Sequence, residues 1–134
     1  MNIFDIEKMP FNEFGSIIKR KVRIVISPET TGEGRVAMVH VNIPPGGISE
    51  GHIHYESDEY IYFDSDGAVI LDGIRHEVKE HGLIHAVKGV THECINTSDD
   101  KELNLFCVFV PPFQPYGSYP ALIERTKDFL KGAD

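Results

Sequence analysis

Residues 46–67 read GGISEGHIHYESDEYIYFDSDG, and their most informative feature is the spacing of three polar side chains. His52 and His54 flank Ile53, and Glu59 follows shortly after a predicted turn. Alternate residues of a β-strand face the same side, so both imidazoles are expected to aim at one point. Glu59 is then expected to be the first inward residue of the neighbouring strand. Neutral imidazole nitrogens and one carboxylate oxygen are donors that divalent transition ions favour.

His92 offers a fourth donor on a later predicted strand. Each part of this pattern has a simpler explanation when it is taken alone. A His-x-His pair is more often a chance pair on the surface, and a single histidine is more often a polar residue with its hydrogen bonds satisfied. The joint pattern of His52, His54, Glu59 and His92 is what predicts one divalent metal site.

Short β-strand signals fill the middle of the chain. These runs are separated by Gly, Pro and Asp at near-regular spacing, which is typical of an antiparallel sandwich or barrel. Residues 1–20 are expected to form an arm that is a short helix or irregular, and a short amphipathic helix is predicted over about 120–131. The predicted strands cover residues 22–26, 36–43, 59–63, 68–71, 76–78, 83–87, 92–95 and 103–110.

The order of these residues resembles the two motifs of the cupin superfamily. The first motif reads Gly-x5-His-x-His-x(3–4)-Glu-x6-Gly, and Gly46, His52, His54 and Glu59 fit its spacing. Its closing glycine, Gly67, comes one residue late. This chain is therefore similar in its first motif to small, single-domain, metal-binding cupins with an RmlC-like jelly roll.

The second cupin motif reads Gly-x5-Pro-x-Gly-x2-His-x3-Asn. Gly89, His92 and Asn96 match its second half completely. Val87 stands in place of the proline, and Gly82 lies one residue closer than the motif requires. Neither departure changes a ligand position.

The resemblance implies an all-β fold, a double-stranded β-helix or jelly-roll barrel, with a pocket at one end of its interior. It implies a single cupin domain over residues 1–134, with the motif core at 46–96. Family members bind iron, manganese, nickel, copper or zinc through the three histidines and the glutamate. Four protein ligands leave up to two positions open on an octahedral ion, where a substrate or dioxygen could coordinate.

Composition limits the classes of partner. A net charge of −8 repels phosphate backbones, and the basic run at residues 19–21 is too short to offset it. No stretch approaches the roughly 18–20 apolar residues that a membrane span needs. We therefore expect neither nucleic acid nor membrane as a partner. The first residues lack a secretory signal pattern, so a cytoplasmic protein is expected.

The two cysteines, Cys94 and Cys107, lie in apolar runs and are expected to be buried free thiols. Cys94 shares a strand face with His92, so it either looks into the pocket or is a small core residue, and we favour the core residue. Tyr60 and Tyr62 are expected to face away from the site, whereas Ile61 and Phe63 share the face of Glu59. Asn96 is expected to orient backbone rather than to react.

Other polar residues leave alternatives open. His40 and Asn42 share a strand face, and they are expected either to line the pocket or to lie on the surface. The segment 111–116 is expected to form part of the pocket rim or a dimer contact. The remaining histidines are expected to be surface or packing residues, with His85 the one of most interest: His76, His81 and His85.

We favour a metal-dependent enzyme over a non-catalytic binding module, because all four ligand positions are filled. The substrate is expected to be a small polar metabolite, either a sugar derivative or an organic acid, and oxygenase and isomerase or lyase chemistry both stay open. No catalytic residue is assigned. A homodimer is expected, with the strand at residues 22–26 as a candidate edge for pairing.

Overall fold

The computed structural model describes residues 3–112 and 119–132, and β-strands dominate them. The strands at residues 58–63 and 103–110 alternate between buried and less buried side chains, because successive residues of a strand face opposite sides. The strands are β1 (Asn12–Phe14), β2 (Arg20–Ile26), β3 (Ala37–Ile43), β4 (Asp58–Phe63), β5 (Gly67–Leu71), β6 (Ile74–Val78), β7 (Leu83–Ala86), β8 (His92–Ile95) and β9 (Leu103–Val110).

Two antiparallel sheets form from these strands. One has the order β1-β2-β3-β9-β4-β7, and the other has the order β6-β5-β8. The inward rows of both sheets meet in one apolar core, to which β9 contributes Leu103, Leu105 and Phe109. This arrangement, with a single C-terminal helix after it, confirms the predicted all-β jelly-roll class.

Three short helical segments accompany the sheets: a 3-10 helix (Ile6–Lys8), α1 (Pro28–Thr31) and α2 (Pro120–Gly132). The sequence predicted α2 from its flanking Pro and Gly. It did not predict α1, which is a single turn. The Ser27 side chain accepts a hydrogen bond from Thr30 N at its start, and Gly32 ends it with a φ of 78°.

The N-terminal arm is more ordered than the sequence suggested. It contains β1, and its last residue, Arg20, already belongs to β2. Asn12 pairs with Val22, so the expectation that the strand at residues 22–26 offers an uncovered edge is wrong at Val22. The sequence missed β1 because three residues are too few to show an alternating pattern.

Within residues 3–112 and 119–132, no helix has both the length and the apolar character needed to cross a membrane.

Candidate metal centre

The backbone around His52 forms a bridge to β8 rather than a regular strand. His52 N donates to His92 O at 3.1 Å, and His92 N donates to His52 O at 2.9 Å. A second bridge joins Ile48 to Ile95. Three residues, 49–51, separate the two bridges on the segment that carries His52, but only two, 93–94, separate them on β8. The extra residue makes this a β-bulge.

The bulge changes how the two histidines of the His-x-His pair are presented. Glu50 lies in it with a φ of 59°, in the left-handed region that few residues other than glycine adopt. His52 lies in an isolated bridge, and His54 belongs to no strand. The expectation that both histidines lie in one regular strand is therefore wrong, although both reach the same point.

His54 and Glu59 approach from the two ends of the turn between them. His54 O accepts a hydrogen bond from Gly89 N at 2.7 Å, and Gly89 has a φ of 87°, which favours glycine. The His54 ring meets the Phe109 ring edge to face, with 5.2 Å between centroids. Glu59 is the first inward residue of β4, as predicted, and it lies opposite Phe109 in β9.

The four predicted side chains converge. One donor atom from each of His52, His54, Glu59 and His92 lies within 4.8 Å of the other three. Glu59 Oε1 is 2.8 Å from His92 Nε2 and 3.2 Å from His54 Nε2. His54, Glu59 and His92 are buried, whereas His52 is exposed. The cluster therefore opens to solvent on the side of His52.

Hydrogen bonds to backbone carbonyls indicate where two of the imidazoles carry their protons. His52 Nδ1 lies 2.8 Å from Glu50 O, and His92 Nδ1 lies 3.3 Å from Val90 O. A carbonyl oxygen only accepts, so Nδ1 carries the hydrogen, and the neutral ring has its lone pair on Nε2. The lone pair of His92 Nε2 then faces Glu59 Oε1.

Neither His92 Nε2 nor Glu59 Oε1 has a hydrogen bond of acceptable geometry to any of the described residues. Two buried acceptors that face each other repel unless a proton or a cation lies between them. Because two further imidazoles converge on the same point, a divalent cation fits this donor set better than one proton does.

The charge of Glu59 favours a cation at the centre, whereas the raised pKa of His92 favours a proton there when no cation is bound. Burial alone would raise the pKa of Glu59, but the neighbouring imidazoles of His54 and His92 outweigh it and lower the pKa to about 2. Burial, with repulsion from His92, lowers the pKa of His52. Burial also disfavours charge on His92, but the Glu59 carboxylate outweighs it and raises the pKa of His92. Glu59 is thus an anion at neutral pH.

The donors line a cavity of about 350 Å³. This volume lies near the lower end of the range for small-molecule sites, about 300–1,000 Å³. Three polar side chains besides the donors also line it: Arg20, Ser49 and Glu50. The larger part of the wall is apolar and includes Val39, Val41, Ile61, Leu105, Phe109 and Tyr119.

Sequence reasoning missed Arg20 and Glu50 as lining residues. It treated Arg20 only as part of a short basic run, and it assigned no role to Glu50. The signal for Arg20 is its place two residues before Val22, because alternate residues of β2 face the cavity together. Glu50 carries no sequence signal, because its position depends on the bulge.

Cys94 and Cys107 are both buried free thiols, as predicted. Both also line the cavity. Cys94 is therefore a buried core residue and also faces the pocket, so both alternatives for it are correct. Burial raises the pKa of each thiol, and the nearby Glu59 carboxylate raises it further. Both sulfurs therefore stay protonated and act as small apolar wall groups.

The two predicted positions for His40 and Asn42, in the pocket lining or on the surface, are both wrong. Neither side chain lines the cavity, and neither is exposed. They occupy the face of β3 opposite to Val39 and Val41, with exposed fractions of only 4% and 8%. His40 Nε2 lies 2.9 Å from Asn104 Oδ1. The sequence could not reveal this burial, because the side chains that these two residues contact, Arg23, Glu102 and Asn104, lie far away along the chain.

The outward-facing rings lie where they were predicted. Tyr60 stacks on His85 with 4.4 Å between ring centroids, and Tyr62 hydrogen-bonds His81 through its hydroxyl. His76, His81 and His85 are exposed, and Ile61 and Phe63 are buried on the face of Glu59. Of the predicted rim, 111–116, residues 113–116 lie outside the described residues.

Asn96 confirms its predicted role. Its side chain donates to the carbonyls of Ile43 and Lys101, at 2.9 and 2.8 Å, and accepts from Ser98 N at 3.0 Å. It holds backbone segments together and touches none of the four donors.

A scan against models of protein families finds no match, and a search of curated proteins finds none. Solved structures do match. A predicted oxalate decarboxylase from Thermotoga maritima has a TM-score of 0.71 and 16% identity, over 82% of this chain and 99% of that one. An RmlC-like cupin from Shewanella frigidimarina has a TM-score of 0.64 and 15% identity, over 83% of this chain and 91% of that one.

The chain has the cupin fold. A third match agrees with this fold. It is a sugar phosphate isomerase from Silicibacter pomeroyi, described as from a cupin superfamily, with a TM-score of 0.64 and 17% identity over 81% of this chain and 75% of that one. The resemblance inferred from the two motifs is confirmed at the level of the fold. In a cupin fold, a convergent group of three histidines and a glutamate suggests a site for a divalent metal ion.

Proposed function

We propose that this chain is a metal-dependent cupin enzyme that acts on a small polar metabolite, an organic acid or a sugar derivative, bound in the cavity beside the donors. The observation that supports this most is the convergence of one donor atom from each of the three histidines and Glu59 within 4.8 Å, with His92 Nε2 only 2.8 Å from Glu59 Oε1. Iron, manganese, nickel, copper and zinc all accept such a nitrogen-rich set.

A divalent ion bound by His52, His54, Glu59 and His92 supplies a Lewis acid with positions left for a substrate oxygen. The chain's own groups prepare the site. Carbonyls of Glu50 and Val90 orient two imidazoles, as outer partners of metal ligands commonly do. The apolar side chains of the wall lower the local polarity and so strengthen the electrostatic interactions beside them.

The names of two similar structures support a small, oxygen-bearing substrate, since one is a predicted oxalate decarboxylase and the other a sugar phosphate isomerase. Oxygenase chemistry and isomerase or lyase chemistry are both compatible with this proposal, because each needs a substrate oxygen close to the metal centre. The cavity volume of about 350 Å³ favours a small substrate in either case.

Replacement of single ligands tests the proposal. His52→Ala and His92→Ala are each expected to lose the metal, because an alanine leaves three donors at most. Elemental analysis of purified protein measures the metal, and a screen of small organic acids and sugar derivatives measures turnover, with and without oxygen. Both variants are expected to lose turnover of any substrate that the unmodified protein converts.

His76→Ala is the matched control, because His76 is exposed and lies outside the cluster. It is expected to keep both metal and turnover. Full metal retention in both ligand variants would contradict the metal centre. Turnover that persists after the metal has been removed with a chelator would contradict the metal-dependent reaction.

A further inference from the structure

Arg20 places a cation on the wall of the cavity. It stands on β2 two residues before Val22, and both residues line the cavity together with the four donors. Its side chain is only 17% exposed. A guanidinium stays charged even when it is partly removed from water, so an arginine in this position is costly unless it has an anionic partner.

The hydrogen-bonding capacity of this guanidinium is not filled by the described residues. Arg20 Nη1 is buried and has no hydrogen-bond partner among them. The neighbouring carboxylate is that of Glu50. Its Oε1 lies 3.5 Å from Arg20 Nη1, and the Glu50 side chain is 58% exposed. A long contact to an exposed carboxylate is weak and is readily exchanged for another anion.

Arg23, three residues along the same strand, shows the contrast. Its Nε donates to Met9 O at 3.0 Å, and its Nη2 donates to Glu7 O at 3.3 Å. Arg23 therefore holds the N-terminal segment on the opposite face of β2. Within residues 3–112 and 119–132, no such hydrogen bond to a backbone carbonyl is made by the Arg20 side chain, which turns toward the cavity instead.

Phe14 holds the Arg20 side chain in position. The Arg20 Cζ atom lies 5.5 Å from the centroid of the Phe14 ring, which is the range of a cation–π contact. The Phe14 ring in turn packs on Tyr119, another lining residue, with 5.3 Å between ring centroids. A guanidinium packed on a ring loses little further freedom when it binds a carboxylate.

We propose that Arg20 binds the carboxylate of the substrate, so that the substrate is a small organic acid with an apolar body rather than a neutral sugar. This rests on the proposed function for the metal centre, but the contact between Arg20 and the carboxylate does not itself need the metal. The larger part of the wall is apolar, so hydroxyl groups that face it stay unpaired, and this costs free energy. A chain with a net charge of −8 also needs a local cation to attract an anion.

The test compares an acid with its isosteric amide. Pentanoate and pentanamide are titrated into the metal-loaded full-length protein, and binding is followed by NMR or calorimetry. The unmodified protein is expected to bind pentanoate more tightly than pentanamide. Arg20→Gln is expected to weaken pentanoate binding about tenfold or more, because a charge-assisted hydrogen bond is lost, and to leave pentanamide binding unchanged.

Two further variants keep the result interpretable. Arg20→Lys keeps the charge but not the planar fork, so it is expected to fall between the unmodified protein and Arg20→Gln, even if Arg20→Gln folds poorly. Arg75→Gln removes an exposed arginine on β6 that is paired with Glu77, and it is expected to change nothing. Pentanoate binding that is equally tight in the unmodified protein, Arg20→Gln and Arg20→Lys would overturn the assignment.

Metal content separates this proposal from the proposed function. Arg20→Gln is expected to keep its metal, and a loss of metal in it would overturn the role of Arg20 as a substrate contact. If the unmodified protein binds no metal, the metal centre fails, and the same titration on that protein still decides whether Arg20 binds the carboxylate.

Discussion

Asn96 lies fully buried just beyond the end of β8, where its side-chain amide meets three backbone groups. It donates to Ile43 O and Lys101 O and accepts from Ser98 N. Its own backbone N–H donates to Gly47 O at 2.9 Å. The side chain thus ties the end of β3 to the loop after β8, and the backbone N–H adds the approach to the His-x-His segment.

Asn96→Ala is expected to lower the free energy of unfolding by about 2–4 kcal/mol, because it leaves two buried carbonyls and one N–H without their partner. Urea unfolding of the metal-free protein measures the loss. Glu77→Ala, at an exposed position of β6, is the control and is expected to stay within about 0.5 kcal/mol of the unmodified protein. A loss below about 1 kcal/mol for Asn96→Ala would show that water replaces these bonds.

At the scale of the element, α2 adds an apolar stripe to the core. Leu122 and Thr126 are fully buried, and Ile123 is nearly so. Thr126 Oγ1 donates to Leu122 O at 2.7 Å, so its hydroxyl is satisfied inside the helix. The helix packs against α1 and β2, which carries Arg20. Its docking therefore supports one wall of the cavity.

Leu122→Ala is expected to cost about 2–5 kcal/mol of stability, since it removes buried methyl groups and leaves a space that the neighbours fill only in part. Thermal or urea unfolding measures the change. Asp128→Ala, on the exposed side of the same helix, is the matched control and is expected to have little effect. Because alanine favours a helix at least as much as leucine or aspartate does, a loss below about 1 kcal/mol for Leu122→Ala would contradict the close packing of its side chain.

At the scale of the whole molecule, the burial of His40 links stability to pH. Burial lowers the pKa of His40, and the charge of Arg23 acts in the same direction, although Asn104 opposes it in part. The unfolded chain therefore takes up a proton on His40 at a higher pH than the folded chain does. Above the ordinary value of 6.5 His40 is neutral in both states, and it does not affect the pH dependence.

Folding stability is accordingly expected to fall as pH drops below about 6.5, toward the lowered pKa of folded His40. His40→Gln removes this titration, so its stability is expected to fall less steeply over the same interval. Urea unfolding of both metal-free proteins between pH 7.5 and pH 5 measures the two slopes. Parallel slopes would contradict a neutral, buried His40.

Assembly of the whole molecule into a homodimer stays a prediction. Its proposed edge has changed, because β1 pairs with the first residues of β2 and takes the outermost place in the larger sheet. Edge strands are the usual places where chains pair. Any dimer that forms by edge pairing on this side would therefore begin at β1.

The sequence by itself determined the elements with strong local signals. Alternation of apolar residues predicted the long strands, among them β9, and Pro120 and Gly132 predicted the ends of α2. The spacing of His52, His54, Glu59 and His92 predicted the donor set, because these residue types are the ones that bind metals. The resemblance of the two motifs to those of cupins implied the fold. These signals are local or repeat at a fixed spacing, so they can be read from a single sequence.

Tertiary structure alone decided how those residues are presented. The bulge at Glu50 arises from pairing with β8. His40 and Asn42 are buried in contact with the neighbouring strands β2 and β9, through Arg23 and Asn104. The place of Arg20 beside the metal centre depends on the closure of the sheets around one cavity. Each of these features joins residues that are distant in sequence, so no local pattern predicts it. Because the position of Arg20 in the cavity is one of these features, the sequence alone did not distinguish an organic acid from a sugar derivative as the substrate.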